Sequence, residues 1–361
     1  MQGQMWLLTL DALSNLRPFG TRPLTGSSLE RVLSRGLNLE MARRSPESFW
    51  GNVLPLLHSA DAVIANLECA ITTHTQHWQK SPKVFYLRAD PSAVGVLRAG
   101  RIHCVSLANN HTLDFGEEGL RDSLHHLDAG GIRHTGAGRD LADAETPAVI
   151  DAAGLKVGIV SLTDNEPDFA AGLGQPGTNY LEIENNPSVV PRVAEATAQA
   201  RQMGAELVVL SLHWGPNMQR RPSPEFRAFA RAAVDIGVDM IYGHSAHIFQ
   251  GVECYRQGLV LYDTGNFLAD FPIDPDLRND WSFVFLVEAD ATGLHRLRLV
   301  PVCLSYGRVK LATGAEFEAI VQRMRSLCLA LGTPVVRTRE GLEARFRRQK
   351  EERNECLLEH A

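Results

Sequence analysis

The stretch Val105-Ser-Leu-Ala-Asn-Asn-His-Thr-Leu-Asp-Phe-Gly-Glu-Glu-Gly-Leu120 decides how the rest of the chain is read. The apolar run at 104–108 has the length of a buried strand. It breaks at Asn109, Asn110 and His111, and a helical pattern opens near Gly116. Side chains at the carboxyl end of a buried α/β strand face a crevice where ligands sit. An Asn followed by a His at such a place offers an oxygen for a hard cation beside an imidazole that can move a proton. The competing reading is a plain tight turn, in which Asn needs no metal.

Working outward, the sequence repeats this habit. The run at 61–68 reads as a strand that turns polar at its end, and alternation puts Asn66 and Glu68 on one face. The apolar run at 206–213 ends in His213-Trp-Gly215, and the strand at 239–242 leads into Gly243-His-Ser-Ala-His247. The segment Tyr262-Asp-Thr-Gly-Asn266 again sets polar residues after a strand. Any one of these histidines alone is more often a core or surface residue than a ligand. Together, Glu68, Asn110, His111, His213, His244 and His247 form a carboxylate, amide and imidazole set suited to Mn, Zn or Fe. Two such ions about 4 Å apart would activate a water and clamp a phosphoryl or carbonyl oxygen.

The remaining elements give the architecture. Helical patterns fall at 29–37, 46–58, 90–99, 116–129, 187–203, 223–236 and 316–331, and strands at 6–10, 147–150, 155–162, 259–262, 282–288 and 294–302, with 304–312 extending the last pairing. Strands alternate with helices over the first two thirds and dominate the last third, which fits a mixed α/β sandwich. The long loop at 164–180 is placed to cover or line a site. The expectation is one domain over 1–335, best supported over 61–331. A densely charged stretch at 336–361 is read as a solvated helix or tail.

Composition narrows the partners. Of 361 residues, 44% are hydrophobic and 22% charged, an ordinary globular profile. The net charge of -6 provides no basic footprint for nucleic acid. The six cysteines are scattered without a Cys-x-x-Cys and read as buried reduced thiols. No stretch reaches the roughly 20 apolar residues that cross a bilayer, and the amino terminus lacks a positive region before its short apolar run. The expected location is the cytoplasm.

The blocks Asn66-Leu-Glu68, Asn109-Asn-His-Thr-Leu-Asp-Phe-Gly116, His213-Trp-Gly215, Gly243-His-Ser-Ala-His247 and Tyr262-Asp-Thr-Gly-Asn266 resemble, in order, those of the CapA family. This is the bacterial capsule, or poly-gamma-glutamate, synthesis family of the calcineurin-like metallophosphoesterase superfamily. The resemblance implies a layered α-β-β-α sandwich of two mixed sheets with a site for two divalent transition-metal ions at the strand ends. It implies Glu68 as the bridging ligand, Asn110, His213 and His244 on the second metal, His247 on the first, and His111 as the leaving-group acid. Two features depart from the pattern. The superfamily's Gly-His-x-His is lengthened by one residue between His244 and His247, a spacing the family shares. The family's opening Gly-Asp-x-Met-Leu-Gly-Arg block is absent: Asp11, without a preceding Gly, is the nearest candidate for the first-metal Asp, while alignment through Leu24-Thr-Gly-Ser-Ser28 puts Ser27 there.

The resulting expectation is a metal-dependent hydrolase of anionic esters on a small-molecule or polymer substrate. The alternative is a capsule-assembly factor that handles polymer without hydrolysis and carries a degraded first metal site. Amide chemistry on a glutamyl polymer is a third expectation, resting on the family name. Asp114 is placed either to orient His111 or to cap a turn, Trp214 either to wall the pocket or to pack. His74 and His77 are read as polar loop residues, with a loop metal site as the alternative, and His125 and His126 as exposed helix residues. Lys83 and Arg88 are read as sheet-edge charges, with contact to an anionic substrate as the alternative.

Overall fold

The computed structural model describes residues 3–10 and 44–346, apart from positions 185, 187, 270, 271 and 306. Asp11, Ser27 and the helical pattern at 29–37 lie outside them. In chain order the strands of the two large sheets are β1 (Gly3–Leu10), β2 (Ala62–Leu67), β3 (Cys104–Ser106), β4 (Arg133–Thr135), β5 (Ala148–Ala152), β6 (Leu155–Thr163), β7 (Leu207–His213) and β8 (Met240–His244). They continue as β9 (Val252–Tyr255), β10 (Gly258–Leu261), β11 (Trp281–Asp290), β12 (Gly293–Ser305), β13 (Arg308–Leu311), β14 (Val336–Arg337) and β15 (Leu342–Arg345). The longer helices are α1 (Ala93–Ala99), α2 (Gly116–Ala129), α3 (Val189–Gln202), α4 (Pro224–Asp235) and α5 (Gly314–Ala330).

The first sheet runs β14-β15-β12-β11-β1-β2-β3-β4, with β13 paired to β12, and the second runs β9-β10-β8-β7-β6-β5. In the first, β1 to β4 are parallel and the β11–β12 side is antiparallel. In the second, β6, β7, β8 and β10 are parallel, with β5 and β9 antiparallel at the edges. Both sheets are therefore mixed.

Alternation along the strands explains the layers. Val63, Ala65 and Leu67 of β2 face Leu97 of α1 and Leu120 and Leu127 of α2, whereas Ala62 and Ile64 face inward. On the other sheet Val208, Leu210 and Leu212 meet Val193 of α3 and Phe229 of α4, while Leu207 and Val209 turn inward. The two inner faces share one core, in which Ile64, Cys104 and Phe285 join Val157, Ile159 and Tyr242. That gives helix, sheet, sheet, helix. The helix α5 adds Ile320, Val321, Met324 and Cys328 to this central core.

The expectation of a charged helix or tail from 336 onward is corrected by the fold. Val336–Arg337 and Leu342–Arg345 are strands, and β15 pairs antiparallel with β12. Leu342, Ala344 and Phe346 repeat at the two-residue period and are buried, with Glu343 and Arg345 between them. The many charges hid that alternation. Residues 347–361 lie outside the described ones. The five described cysteines are free thiols. Among the described residues no helix is long and apolar enough to cross a membrane.

Candidate functional site

The same alternation that builds the core delivers polar side chains to its rim. The inward series of β7 continues from Val209 to Ser211 and His213, and that of β8 runs from Met240 and Tyr242 to His244. The register sets His213 directly beside His244. On the facing sheet β2 ends with Asn66 inward, and Glu68 follows on the same side. Tyr242 Oη accepts a hydrogen bond from Asn66 N at 3.0 Å, which ties the two sheets together at this level.

Glu68, fully buried, is the meeting point. Its Oε2 accepts from Asn66 Nδ2 at 3.1 Å. Its Oε1 lies 3.8 Å from His213 Nε2 and 4.0 Å from His111 Nε2. Leu10, at the end of β1, lies opposite Leu67, one residue before Glu68.

The two adjacent asparagines do different work. Asn109 is a turn residue: its Nδ2 donates to Asn66 Oδ1 (3.1 Å) and Leu67 O (2.9 Å), and its Oδ1 accepts from His111 N and Thr112 Oγ1. It bolts the turn to β2. Asn110 Oδ1 is buried and makes no hydrogen bond. An orphaned buried carbonyl oxygen costs roughly 1–3 kcal/mol, and a cation there would remove that cost.

His111 Nδ1 donates to Asp114 Oδ2 at 2.6 Å, and the same oxygen accepts from Leu87 N at 2.6 Å. Lys83, nearly buried, puts its ammonium 2.7 Å from Asp114 Oδ1 and donates also to Asn110 O. Burial holds the His111 pKa below its ordinary value, with the Asp114 carboxylate pulling the other way.

The second-sheet cluster is built of neutral rings. His213 Nδ1 and His244 Nδ1 are 2.9 Å apart, within hydrogen-bonding distance, and His244 Nε2 is 3.0 Å from Ser211 Oγ. Burial pushes the His213 pKa well below the usual imidazole value, and that of His244 down to about 3. His247 Nδ1 donates to Asn266 Oδ1 at 3.0 Å, which leaves Nε2 as the ring's acceptor nitrogen.

The turn that carries His247 is strained. Ser245 (φ 123°) and His247 (φ 59°) both occupy the region favoured by glycine. Ser245 Oγ bonded to Gly215 O, and Ala246 N bonded to Asp263 Oδ2, hold it. Gly243 is required just before it, because a Cβ there would stand 2.1 Å from Tyr262 O.

The predicted residues Asn66, Glu68, His111, Asp114, His213 and His244 thus join in one network through the contacts above, with His247 and Asn266 paired beside it. Trp214 packs, and the cleft it lines is a separate one that holds none of Glu68, His111, His213, His244 and His247. The Trp214 ring is parallel to that of Tyr262, its indole N–H donates to Tyr262 O, and it forms part of this cleft of about 230 Å³ with Arg221, Phe226 and Ala246. The 164–180 loop reaches the rim, where Asp164 Oδ1 accepts from Gly215 N and Asn165 Nδ2 contacts Ser245 Oγ. His77 stacks on Tyr86, His125 is exposed and His126 half-buried. Asp11 and Ser27 lie outside the described residues.

Sequence reasoning missed Lys83, read as an edge charge, and the separate duty of Asn109. Lys83 carries no local signal, since its partner Asp114 is 31 residues away. Asn109 was legible only through its doubling with Asn110.

A carboxylate oxygen of Glu68 near two imidazole nitrogens is the donor set a borderline-hard cation takes, and the buried, unsatisfied Asn110 oxygen is of a type that would fit that use. Among the described residues no three His, Cys, Asp or Glu side chains form a cation-holding group by themselves.

The fold and these strand-end residues make a four-layer α/β sandwich with a polar site at the rim between its sheets. Residues 25–271 match the family model described as bacterial capsule synthesis protein PGA_cap, and the chain belongs to that family, within the metallophosphoesterase-like superfamily. It is similar to a capsule biosynthesis protein CapA of Bacillus anthracis, 28% identical over 73% of this chain and 64% of that protein. It is also similar to a probable polyglutamine synthesis accessory protein of Mycobacterium tuberculosis, 30% identical over 80% of this chain and 78% of the relative. The chain therefore spans somewhat less than two thirds of the Bacillus relative. Among solved structures, a sulfate thiohydrolase SoxB of Thermus thermophilus aligns over 90% of this chain and 60% of its own, at 14% identity and a TM-score of 0.43.

Proposed function

We propose that this chain is a cation-dependent hydrolase of anionic esters in capsule-type polymer synthesis. The observation that carries this reading is the approach of Glu68 Oε1 to His213 Nε2 and His111 Nε2, at 3.8 and 4.0 Å, from opposite sheets. Glu68, Asn110, His213, His244 and His247 are the residues that would hold divalent transition metal, Mn, Zn or Fe. Once bound, such a cation would supply activation of water and neutralisation of charge on the ester.

The chain's own residues do the rest. Asp114 holds the His111 ring through Nδ1, so Nε2 is the nitrogen that protonates the departing oxygen. Burial lowers the His111 pKa, which makes the protonated ring a stronger acid and leaves less of it protonated. Asn66 orients the Glu68 carboxylate through Oε2, and Asn266 fixes the tautomer of His247.

The test is hydrolysis of bis-p-nitrophenyl phosphate by the purified chain with Mn, Zn or Fe supplied. Turnover that disappears in His111→Ala is expected; an inert wild-type protein contradicts the reading. One observation favours the alternative of a non-hydrolytic polymer-handling factor. His213 and His244 engage each other through Nδ1, so each ring turns one nitrogen to its neighbour. Retention of glutamyl polymer without turnover would favour that alternative.

A further inference from the structure

We propose that Lys83 is a positioning residue for the proton donor, locking both the carboxylate and the backbone that aim His111; this rests on the role of His111 proposed above. The lysine side chain is 5% exposed and lies far in sequence from the groups it touches. Its ammonium reaches Asp114 Oδ1 at 2.7 Å and the carbonyl of Asn110, the residue immediately before His111. Asp114 itself is fully buried, with Oδ2 shared between His111 Nδ1 and Leu87 N. One oxygen thus aims the ring, and the other is gripped by Lys83. Rotation of the carboxylate about Cβ–Cγ would break all three contacts at once.

A further segment meets the ammonium as well. Its nitrogen lies 4.6 Å from the centre of the Phe169 ring and 4.0 Å from Glu166 Oε1, both on the 164–180 loop. Lys83 therefore joins three segments: its own loop, the turn at 110–114 and the loop over the rim. A role in gripping substrate directly fits less well. The ammonium is inside the protein, and its short contacts are to protein oxygens. Lysine suits this clamp because three N–H donors radiate from one atom, whereas a planar guanidinium would have to present a fork.

The test combines a spectroscopic arm that needs no turnover with a kinetic one. In the full chain labelled with ¹⁵N-histidine, a far-downfield Nδ1–H proton resonance, assigned by its loss in His111→Gln, is expected for wild type. Lys83→Met should shift that resonance upfield or abolish it, and Lys83→Arg should retain it in part. With bis-p-nitrophenyl phosphate, Lys83→Met should lower kcat on the order of tenfold to a hundredfold while KM stays within about twofold. If Lys83→Met fails to fold by circular dichroism, Lys83→Gln takes its place. A His111 resonance unchanged in the folded variant overturns the proposal. Absence of hydrolysis by wild type would overturn only the reading of His111 as acid, because the resonance still reports whether Lys83 holds the ring.

Discussion

The two sheets meet at one rim, but they equip it differently. On the β2–β3 side, Glu68, Asp114 and Lys83 are buried charges, cross-bonded through Asn66, Asn109 and His111. On the β7–β8 side the groups are neutral: His213 and His244 face each other, Ser211 closes one end, and His247 leans on Asn266. The pKa directions follow the same division. A carboxylate opposes the lowering of His111, while burial and neighbouring imidazoles lower His213 and His244 together. Burial lowers all three rings; only His111 has a carboxylate partner that opposes it, while the other side keeps its ring nitrogens unprotonated, as ligands must be.

The sharpest way to break that comparison is to remove one ring from the charged side. His111→Ala should reduce ester hydrolysis by about 10²–10⁴-fold while leaving bound metal unchanged by elemental analysis. Loss of metal in that variant would erase the division. On the neutral side, Asn266→Ala removes the acceptor that fixes His247, and metal affinity measured by competition with a chelating dye should fall by about 10–100-fold. A variant that binds metal as wild type does would show that His247 needs no such support.

Smaller effects sharpen the picture. Asn109→Ala strips four hydrogen bonds from the turn and should cost roughly 1–3 kcal/mol in urea unfolding. A neutral result would mean the turn is held elsewhere. Asp164, at the rim, is pushed up to about 6 by burial. The folded protein then keeps a proton that the unfolded chain has already lost, so this group makes stability fall as pH rises between about 4 and 6. Asp164→Asn, which retains an acceptor for Gly215 N, should remove about 1–2 kcal/mol of that decline. Unfolding at pH 4 and pH 7, compared with wild type, reads the difference.

How much of this was legible in sequence depended on the range of the signal. Strand ends that turn polar, at Asn66-Leu-Glu68 and His213-Trp-Gly215, announce themselves because alternation is local and burial makes the apolar part continuous. The sandwich followed from the same runs. The clamp at Lys83 was invisible, since nothing near residue 83 hints at a partner 31 positions on. The strand Leu342–Arg345 was obscured in a different way, by the charges Glu343 and Arg345 between Leu342, Ala344 and Phe346 and by the charged residues around them. The strain at Ser245 and His247 likewise belongs to the assembled turn, held by Gly215 and Asp263 from other segments.

The central claim is that side chains from both sheets grip cations between them. Elemental analysis of the purified chain after desalting, wild type beside Asn110→Ala/His213→Ala, tests it most directly. At least one transition-metal ion per chain is predicted in wild type and a loss of one in the double variant; with two in wild type, Asp11→Asn should lose one where Ser27→Ala does not. A folded wild-type chain that retains no transition metal, or a double variant that retains as much as wild type, would contradict the account.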